Sequence, residues 1–184
     1  ASTVAETKIV TLTSPITKSG INVLFKAGAP DSNKSLFSAS GPVIANGTST
    51  STVSITIYDS NLNAISGIIP TFSTSGTGNS QSACSVSNSS GKSTCTLTST
   101  VPETKTLSVL TPFSKTGVSV VFSVGPASEL TSTISATGPV VANGTSTSVV
   151  TIKLKDGSNN AISGIVPTFS VSGSNNTLTT CSAS

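Results

Sequence analysis

The sequence contains no His, Arg, Met or Trp, has one Tyr, and only 8% of its 184 residues are charged. Without His it lacks the usual general base and the commonest metal ligand. Without Arg it cannot hold a phosphate through two parallel hydrogen bonds. Its nine Lys give a net charge of +3 but form no basic stripe, and its six acidic residues are scattered. We therefore expect no catalytic residues, no cofactor, no metal site and no nucleic-acid partner.

Long apolar runs are also missing. No stretch approaches the roughly 20 apolar residues that cross a bilayer, so we expect no membrane span in this segment. The absence of Met predicts a processed or excised part of a longer protein. More than a third of the positions are Ser or Thr, which favours short half-buried strands over long helices.

A long internal repeat organises the sequence. GPVIANGTSTS at residues 41–51 returns as GPVVANGTSTS at residues 138–148, which is 97 residues further on. The same offset relates further pairs without an insertion: Glu6 and Glu103, Phe25 and Phe122, Asn63 and Asn160, Pro70 and Pro167, Cys84 and Cys181. One structural unit is therefore predicted to be about 97 residues long.

Apolar and polar residues alternate within each unit, and turn residues bound the runs. This alternation is typical of strands with one face on a core. About seven such strands in roughly 100 residues predict an immunoglobulin-like sandwich, so we predict an all-β fold of tandem sandwiches. The expected core positions are Val53, Ile55, Ile57, Phe72, Leu107, Val109, Val120 and Phe122, with Val150, Ile152, Leu154 and Phe169 in the second copy.

The order of these segments resembles a known family. The second copy reads VVANGTSTSVVTIKLKDGSNNAISGIVPTFSVSG, and the first continues with GKSTCTLTST. This order resembles the bacterial immunoglobulin-like domains of the invasin and intimin type, over one whole unit and a partial unit on either side. The paired cysteines depart from that pattern, as do Pro70 and Pro167. Because proline lacks an amide donor, we expect its strand to lie at a sheet edge or to be bulged.

Matching aspartates open two of the predicted turns, DSNLN at Asp59 and DGSNN at Asp156. A catalytic or calcium-binding role is one interpretation of each. However, an aspartate that begins a Gly/Asn/Ser turn commonly accepts hydrogen bonds from the amides of that turn. We therefore expect each carboxylate to cap its own turn.

The segment CSVSNSSGKSTC, residues 84–95, ends like a phosphate-binding loop. Such a loop would require glycine where Val86 stands, and a helix would have to follow it. If NSSG is instead a hairpin loop, Cys84 lies opposite Cys95 at a separation that suits a disulfide. We predict this bond, and with it an oxidising compartment; the alternative is a reduced buried pair. Cys181 repeats Cys84, and we expect it to be unpaired or externally paired.

The repeat offset predicts three regions. Residues 1–30 would be the closing strands of a preceding unit, residues 31–127 a complete immunoglobulin-like domain, and residues 128–184 the first part of a further unit. In a continuous pattern about ten residues separate the end of the third region from the start of the first, and we place this gap on a surface hairpin. The first region is predicted to be a strand-complementation segment, which packs into strands outside itself through Val10, Leu12, Ile21, Val23 and Phe25.

Two functions fit this organisation. The first is a non-enzymatic extracellular module, a stalk of immunoglobulin-like repeats in a bacterial cell-surface adhesin whose host or surface ligand binds other domains. The alternative is a subunit of an extracellular filament, in which the N-terminal 28 residues of one copy complete the C-terminal unit of another. Both predict an extracellular location, at the cell surface or secreted. Five sequons leave glycosylation open, at Asn33, Asn46, Asn88, Asn143 and Asn175.

Overall fold

A computed structural model describes residues 1–184, and all of its regular elements are strands. In chain order they are β1 (Thr7–Leu12), β2 (Lys18–Leu24), β3 (Leu36–Ala39), β4 (Val43–Ile44), β5 (Ser51–Thr56), β6 (Thr71–Thr74), β7 (Asn79–Gln81), β8 (Lys92–Ser99), β9 (Thr104–Thr111), β10 (Lys115–Ser123), β11 (Thr133–Ala136) and β12 (Val150–Lys153). No helix of a length and apolarity that would cross a membrane is present.

Strands β3 to β10 form a sandwich, which we call the central sandwich. One sheet has the order β3-β5-β8-β7 and the other has the order β4-β10-β9-β6. All neighbours are antiparallel except β4, which runs parallel to β10. This is the arrangement of the immunoglobulin fold, with its first strand divided between the two sheets as β3 and β4. The predicted all-β, immunoglobulin-like fold is confirmed for this unit.

The core of the central sandwich lies between the two sheets. All eight core positions predicted for the first copy are buried, at Val53, Ile55, Ile57, Phe72, Leu107, Val109, Val120 and Phe122. Ala45, Leu97 and Phe113 join them in one cluster. Burial of each large apolar side chain contributes about 1.5–3 kcal/mol, so alternation along the strands is enough to specify this core.

Pro70 directly precedes β6, which is an edge strand of its sheet. The pairing of β6 with β9 shifts register between Thr71 and Phe72. The expected edge position and bulge are therefore both confirmed. They have the expected cause, because a proline amide has no hydrogen to give to a neighbouring strand.

A disulfide joins Cys84 to Cys95 across the β7–β8 side of the sandwich, with a Cα–Cα distance of 4.3 Å. Both sulfur-bearing side chains point into the core cluster. The turn between them closes at Asn88, whose carbonyl accepts the amide N–H of Gly91 at 2.8 Å. Gly91 has φ 73°, and a Cβ there would lie 2.4 Å from the carbonyl oxygen of Ile57. This position therefore requires glycine.

The burial of one lysine was not predicted from the sequence. Lys105 lies on β9 and faces inward beside Leu107, with no exposed surface. Its Nζ donates a hydrogen bond to the carbonyl oxygen of Thr77 at 2.6 Å and pairs with the Glu103 carboxylate. The buried ammonium is therefore compensated, and it ties the loop between β6 and β7 to β9.

Strands β1 and β2 form a separate antiparallel hairpin, the N-terminal hairpin, in which Val10 lies opposite Ile21. Of the predicted complementation segment, Val10, Leu12 and Ile21 are exposed, whereas Val23 and Phe25 are half-buried. The residues 97 positions later are Leu107, Val109, Val118, Val120 and Phe122, all of which belong to the central core or pack against it. The hairpin thus has the side chains of a core-forming pair of strands without a covering sheet.

Residues 128–184 form only the two-stranded sheet of β11 and β12. Residues 140–141 and 168–171, which correspond to β4 and β6, are not strands. In the central sandwich those two strands bond only to β10 and β9, and residues 128–184 contain no counterpart of either. The prediction of a buried second core was wrong for the same reason: Val150, Ile152, Leu154 and Phe169 are only half-buried.

Candidate functional site

Two linkers, one before and one after the central sandwich, are each held by a buried aspartate, and we call these places the first and second junctions. At the first junction, Asp59 follows β5 and begins a turn that ends at Asn63. Asp59 is only 2% exposed. Its Oδ1 accepts the backbone N–H groups of Asn61 and Asn63, both at 2.9 Å. The expectation that Asp59 caps its own turn is confirmed.

The second carboxylate oxygen of Asp59 reaches out of the turn. Oδ2 accepts the amide N–H of Gly28 at 2.8 Å and the side-chain Nδ2 of Asn63, also at 2.8 Å. Gly28 lies in the linker that follows the N-terminal hairpin. One carboxylate therefore joins the linker to the turn that follows β5, a role that we did not predict.

The second junction repeats this arrangement 97 residues further on. Asp156 is also 2% exposed. Its Oδ1 accepts the amides of Ser158 and Asn160, both at 2.9 Å. Its Oδ2 accepts the amide of Gly125 and the Asn160 side chain, both at 3.0 Å. We call the two sets the first junction clamp (Gly28, Asp59, Asn63) and the second junction clamp (Gly125, Asp156, Asn160).

The asparagine of each clamp also contacts the part of the chain that precedes its linker, but through different groups. Asn63 Oδ1 accepts the amide of Ala5 at 2.8 Å, and its Nδ2 donates to the carbonyl of Thr3 at 2.9 Å. At the second junction the residue corresponding to Ala5 is Pro102, which has no N–H to donate. Asn160 instead donates to the carbonyl of Ala45 at 3.3 Å.

Hydrogen bonds keep both clamp aspartates ionised. Donation from the Asn63 side chain, and then from the Gly28 amide, lowers the pKa of Asp59 to about 2 against the opposing effect of burial. For Asp156, burial is the largest single influence and would raise the pKa. The donors Asn160, Gly125 and Ser158 together outweigh it, so the pKa of Asp156 is also lowered. All four contacts of each carboxylate are N–H donors, which favour the charged form.

The lowered pKa gives a test of the first junction clamp. Since the folded pKa is below the model value of 3.8, the stabilisation is complete at higher pH and is lost as pH falls through about 2. The amide resonance of Gly28 should therefore titrate in NMR spectra with a midpoint near pH 2 and be flat in Asp59→Asn. A midpoint at the ordinary aspartate value in the folded protein would show that this hydrogen bond is absent.

The turn of the first junction contains a residue in an unfavourable conformation. Leu62 has φ 65° and is exposed, whereas its counterpart Asn159 has φ 68°. Asparagine tolerates the left-handed region better than leucine. We expect Leu62→Asn to stabilise the central sandwich by roughly 0.5–1 kcal/mol in urea unfolding. The reciprocal control, Asn159→Leu, should destabilise its own turn; no change in Leu62→Asn would argue against strain at this position.

The geometry supports a mechanical role for these clamps. Both oxygens of each carboxylate are filled by protein donors, which leaves no open position for a substrate or an ion. No group of three or more His, Cys, Asp or Glu side chains is placed to hold a metal ion. Each clamp can hold its linker in a fixed position against the turn that the aspartate begins.

Comparison with known proteins identifies a family that matches the central sandwich. Residues 31–121 match the family described as invasin, domain 3. The central sandwich is an invasin-type bacterial immunoglobulin-like domain. The resemblance inferred from the sequence is thereby confirmed. Invasin-type domains are structural or binding modules without enzymatic activity, as we predicted.

Solved adhesin structures share the fold over most of this chain. The Escherichia coli adhesin FdeC is 26% identical with a TM-score of 0.62, and the match covers 82% of this chain and 49% of FdeC. Invasin, a bacterial integrin-binding protein, is 22% identical with a TM-score of 0.63, over 88% of this chain and 34% of invasin. Yersinia pseudotuberculosis InvD is 20% identical with a TM-score of 0.58, and the match covers 79% of this chain and 47% of InvD.

This chain thus spans half or less of each of those adhesin structures. Among curated proteins, none matches it significantly in sequence. The invasin-type adhesins are surface-exposed bacterial proteins, which supports a cell-surface location for this invasin-type domain.

Proposed function

We propose that this chain is part of the stalk of a bacterial cell-surface adhesin, in which the junction clamps hold successive invasin-type domains at a fixed orientation. The observation that carries the proposal is the repetition of the clamp. Asp59 and Asp156 make four equivalent contacts at the two junctions. One contact of each aspartate is to a linker glycine 31 residues earlier in the chain. A stalk needs a constant joint between repeats, and a ligand would bind elsewhere on the whole adhesin.

The clamp suits this role because it is buried and fully hydrogen-bonded. A charge-assisted hydrogen bond is stronger than a neutral one, and it gains strength where water is excluded. Inter-domain contacts of ordinary size leave neighbouring domains free to move. A linker held by an internal carboxylate restricts that motion at the point where the chain would otherwise bend.

Labelling of intact cells tests the proposed location and role. An antibody raised against the central sandwich should label unpermeabilised cells of the source bacterium, and external protease should remove the signal. A cytoplasmic protein serves as the control for cell integrity. Labelling that appears only after permeabilisation would contradict the proposal.

One observation favours the filament as a second candidate. The N-terminal hairpin leaves Val10, Leu12 and Ile21 exposed, and the counterparts of β4 and β6 in residues 128–184 lack the two strands that would lie between them. A hairpin from another copy could supply those strands by strand addition. An isolated two-stranded hairpin is marginally stable in water, so its apolar face favours a partner.

The position of β8 weakens the filament candidate. We expected the ten-residue gap between the two partial units to fall on a surface hairpin. In the central sandwich the corresponding residues, 88–97, include most of β8, which lies between β5 and β7. They also supply the buried side chains Cys95 and Leu97. A complemented unit would therefore lack an internal strand of one sheet, and for this reason we prefer the stalk.

Electron microscopy and sedimentation of the 184-residue chain separate the two candidates. The stalk predicts no regular fibres. The filament predicts fibres that disappear in Phe25→Asp, while the central sandwich keeps its thermal transition. Fibres with that dependence would overturn our preference for the stalk.

A further inference from the structure

The first and last strands of the central sandwich run side by side in the same direction. Strand β4 pairs parallel with β10, with Val43 opposite Phe122 and Ile44 opposite Ser123. The amide of Ala45 extends this ladder by donating to the carbonyl of Ser123 at 2.8 Å. The parallel pair thus joins the segment by which the chain enters the sandwich to the strand by which it leaves.

A lysine ties the start of the entering segment to the same strand. Lys115 lies at the start of β10 and is half-buried. Its Nζ donates to the carbonyl of Ser32 at 2.9 Å and to that of Ser35 at 2.6 Å. A hydrogen bond from an ammonium group is stronger than a neutral one. The entering segment, residues 32–45, is therefore bonded to β10 at both of its ends.

The ladder between β4 and β10 is also covered by the core. Ala45 has no exposed surface, Phe122 is 2% exposed, and Val43 packs against the core cluster. A Cβ on Gly41 would lie 3.5 Å from Cγ2 of Val120, so the two segments are already in close contact before β4 begins. Hydrogen bonds in such a water-poor place are stronger than exposed ones.

Tension along the chain would act on these two segments in opposite directions. The linker that contains Gly28 joins the sandwich at the end where Lys115 lies, and the linker that contains Gly125 leaves it just after β10. Pulling on the two linkers draws residues 32–45 and β10 past each other along their common axis. Since β4 and β10 are parallel, their bonds are loaded together. The bonds of β3 to β5 lie on the same path and are loaded in the same way.

We propose that the central sandwich has a further function, which is to resist tension along the chain through the pairing of residues 32–45 with β10. This function rests on the stalk function, because a stalk carries the force between a cell and its target. The Lys115 bonds and the β4–β10 ladder break together under this load. The barrier to forced unfolding is therefore higher in this direction than in one that loads the bonds one after another.

Single-molecule force spectroscopy on the full chain tests this function. In one arm the force is applied through handles at the two chain ends. In the other it is applied across the sheets, through Thr52→Cys on β5 and Thr106→Cys on β9, both exposed positions. The second arm uses a Cys181→Ser background, because Cys181 is a free thiol.

We expect the unfolding force along the chain to be roughly twofold or more the force across the sheets, because the bonds of the parallel pair break together. Equal forces in the two directions would overturn the proposal. This comparison uses one folded domain in both arms, so a difference in thermodynamic stability does not enter it.

The disulfide identifies the unfolding event that belongs to the central sandwich. While it is intact, the Cys84–Cys95 bond bypasses a sequence separation of 11 in the stretched chain. Reduction should lengthen this event by about 30–40 Å, since an extended residue spans about 3.3–3.6 Å. Events from residues 1–30 and 128–184 should keep their length, because the disulfide lies outside both regions.

Lys115→Met tests the named contact, because methionine keeps the apolar stem of the side chain but cannot bond to the two carbonyls. We expect it to lower the unfolding force along the chain and to leave the force across the sheets unchanged. Lys92→Met is the matched control, since Lys92 is exposed on β8 and its ammonium has no protein partner. It should change neither force.

If Lys115→Met left the force along the chain unchanged, or lowered both forces equally, Lys115 would contribute only general stability and the proposal would be wrong. Neither result would alter the labelling of intact cells, so failure of this function is distinguishable from failure of the stalk function.

Discussion

Phe122→Ala is expected to lower the free energy of unfolding of the central sandwich by about 3–5 kcal/mol, the usual cost of removing a buried phenylalanine side chain. Phe122 lies on β10, is 2% exposed and belongs to the main core cluster. The cost combines lost burial with the cavity that the neighbouring strands cannot close. Urea unfolding followed by circular dichroism measures it directly.

Phe25→Ala is the matched control, because Phe25 occupies the same position in the repeat but is only half-buried. It lies outside the central sandwich, and we expect the unfolding free energy of that sandwich to change by less than about 1 kcal/mol. Equal losses from the two substitutions would mean that the N-terminal hairpin is covered, in solution, by a sheet that this structure does not contain.

Loss of the Cys84–Cys95 disulfide is the second large effect that we expect. The bond closes a loop with a sequence separation of 11. By the chain-entropy model such a loop stabilises the folded state by about 2–3 kcal/mol. For a domain of this size that corresponds to a fall of roughly 10–20 °C in the melting temperature on reduction.

Calorimetry with and without a reductant measures this shift, and the double variant Cys84→Ala, Cys95→Ala is the control. The double variant should melt at a lower temperature under both conditions and should not respond to the reductant. If reduction left the melting temperature of the unsubstituted chain unchanged, the two cysteines would not be bonded in solution.

Sequence alone was sufficient for the fold and the core of the central sandwich. The alternation that marks Val53, Ile55 and Ile57 reflects a strand with one buried face, and burial of that face is what stabilises the sandwich. The Cys84–Cys95 bond could be predicted because hairpin register is set locally by the turn. Local patterns with local causes were therefore reliable.

Contacts between distant residues were not predicted. Nothing local indicates that Gly28 donates to Asp59, because the glycine conformation is unremarkable and the partner lies 31 residues away. The repeat held a signal that could have been used, since Gly125 and Asp156 stand at the same separation. Lys105 was missed because lysine is seldom fully buried. Its ammonium is compensated by the Glu103 carboxylate and by the carbonyl of Thr77, which lies in a distant loop.

The burial of apolar side chains in residues 1–30 and 128–184 could not be judged from the sequence. Apolar alternation is the same in β5 and β12, yet only β5 is covered on both edges. Burial depends on which strands are present to cover a face, and this is a property of the assembled sheets. The clamp turns, by contrast, need only the linker and their own amides, so they are complete at both junctions.

The most direct test of the fixed junction is the distribution of distances across it. Spin labels at Thr106→Cys on β9 and Ser135→Cys on β11, both exposed positions, would report the second junction in a Cys181→Ser background by pulsed electron paramagnetic resonance. Asp156→Asn keeps the shape of the side chain but presents an amide to N–H donors. We expect one narrow distance peak with Asp156 and a clearly broader distribution with Asp156→Asn, while the central sandwich stays folded. Equally broad distributions, or equally narrow ones, would contradict a joint held by the clamp.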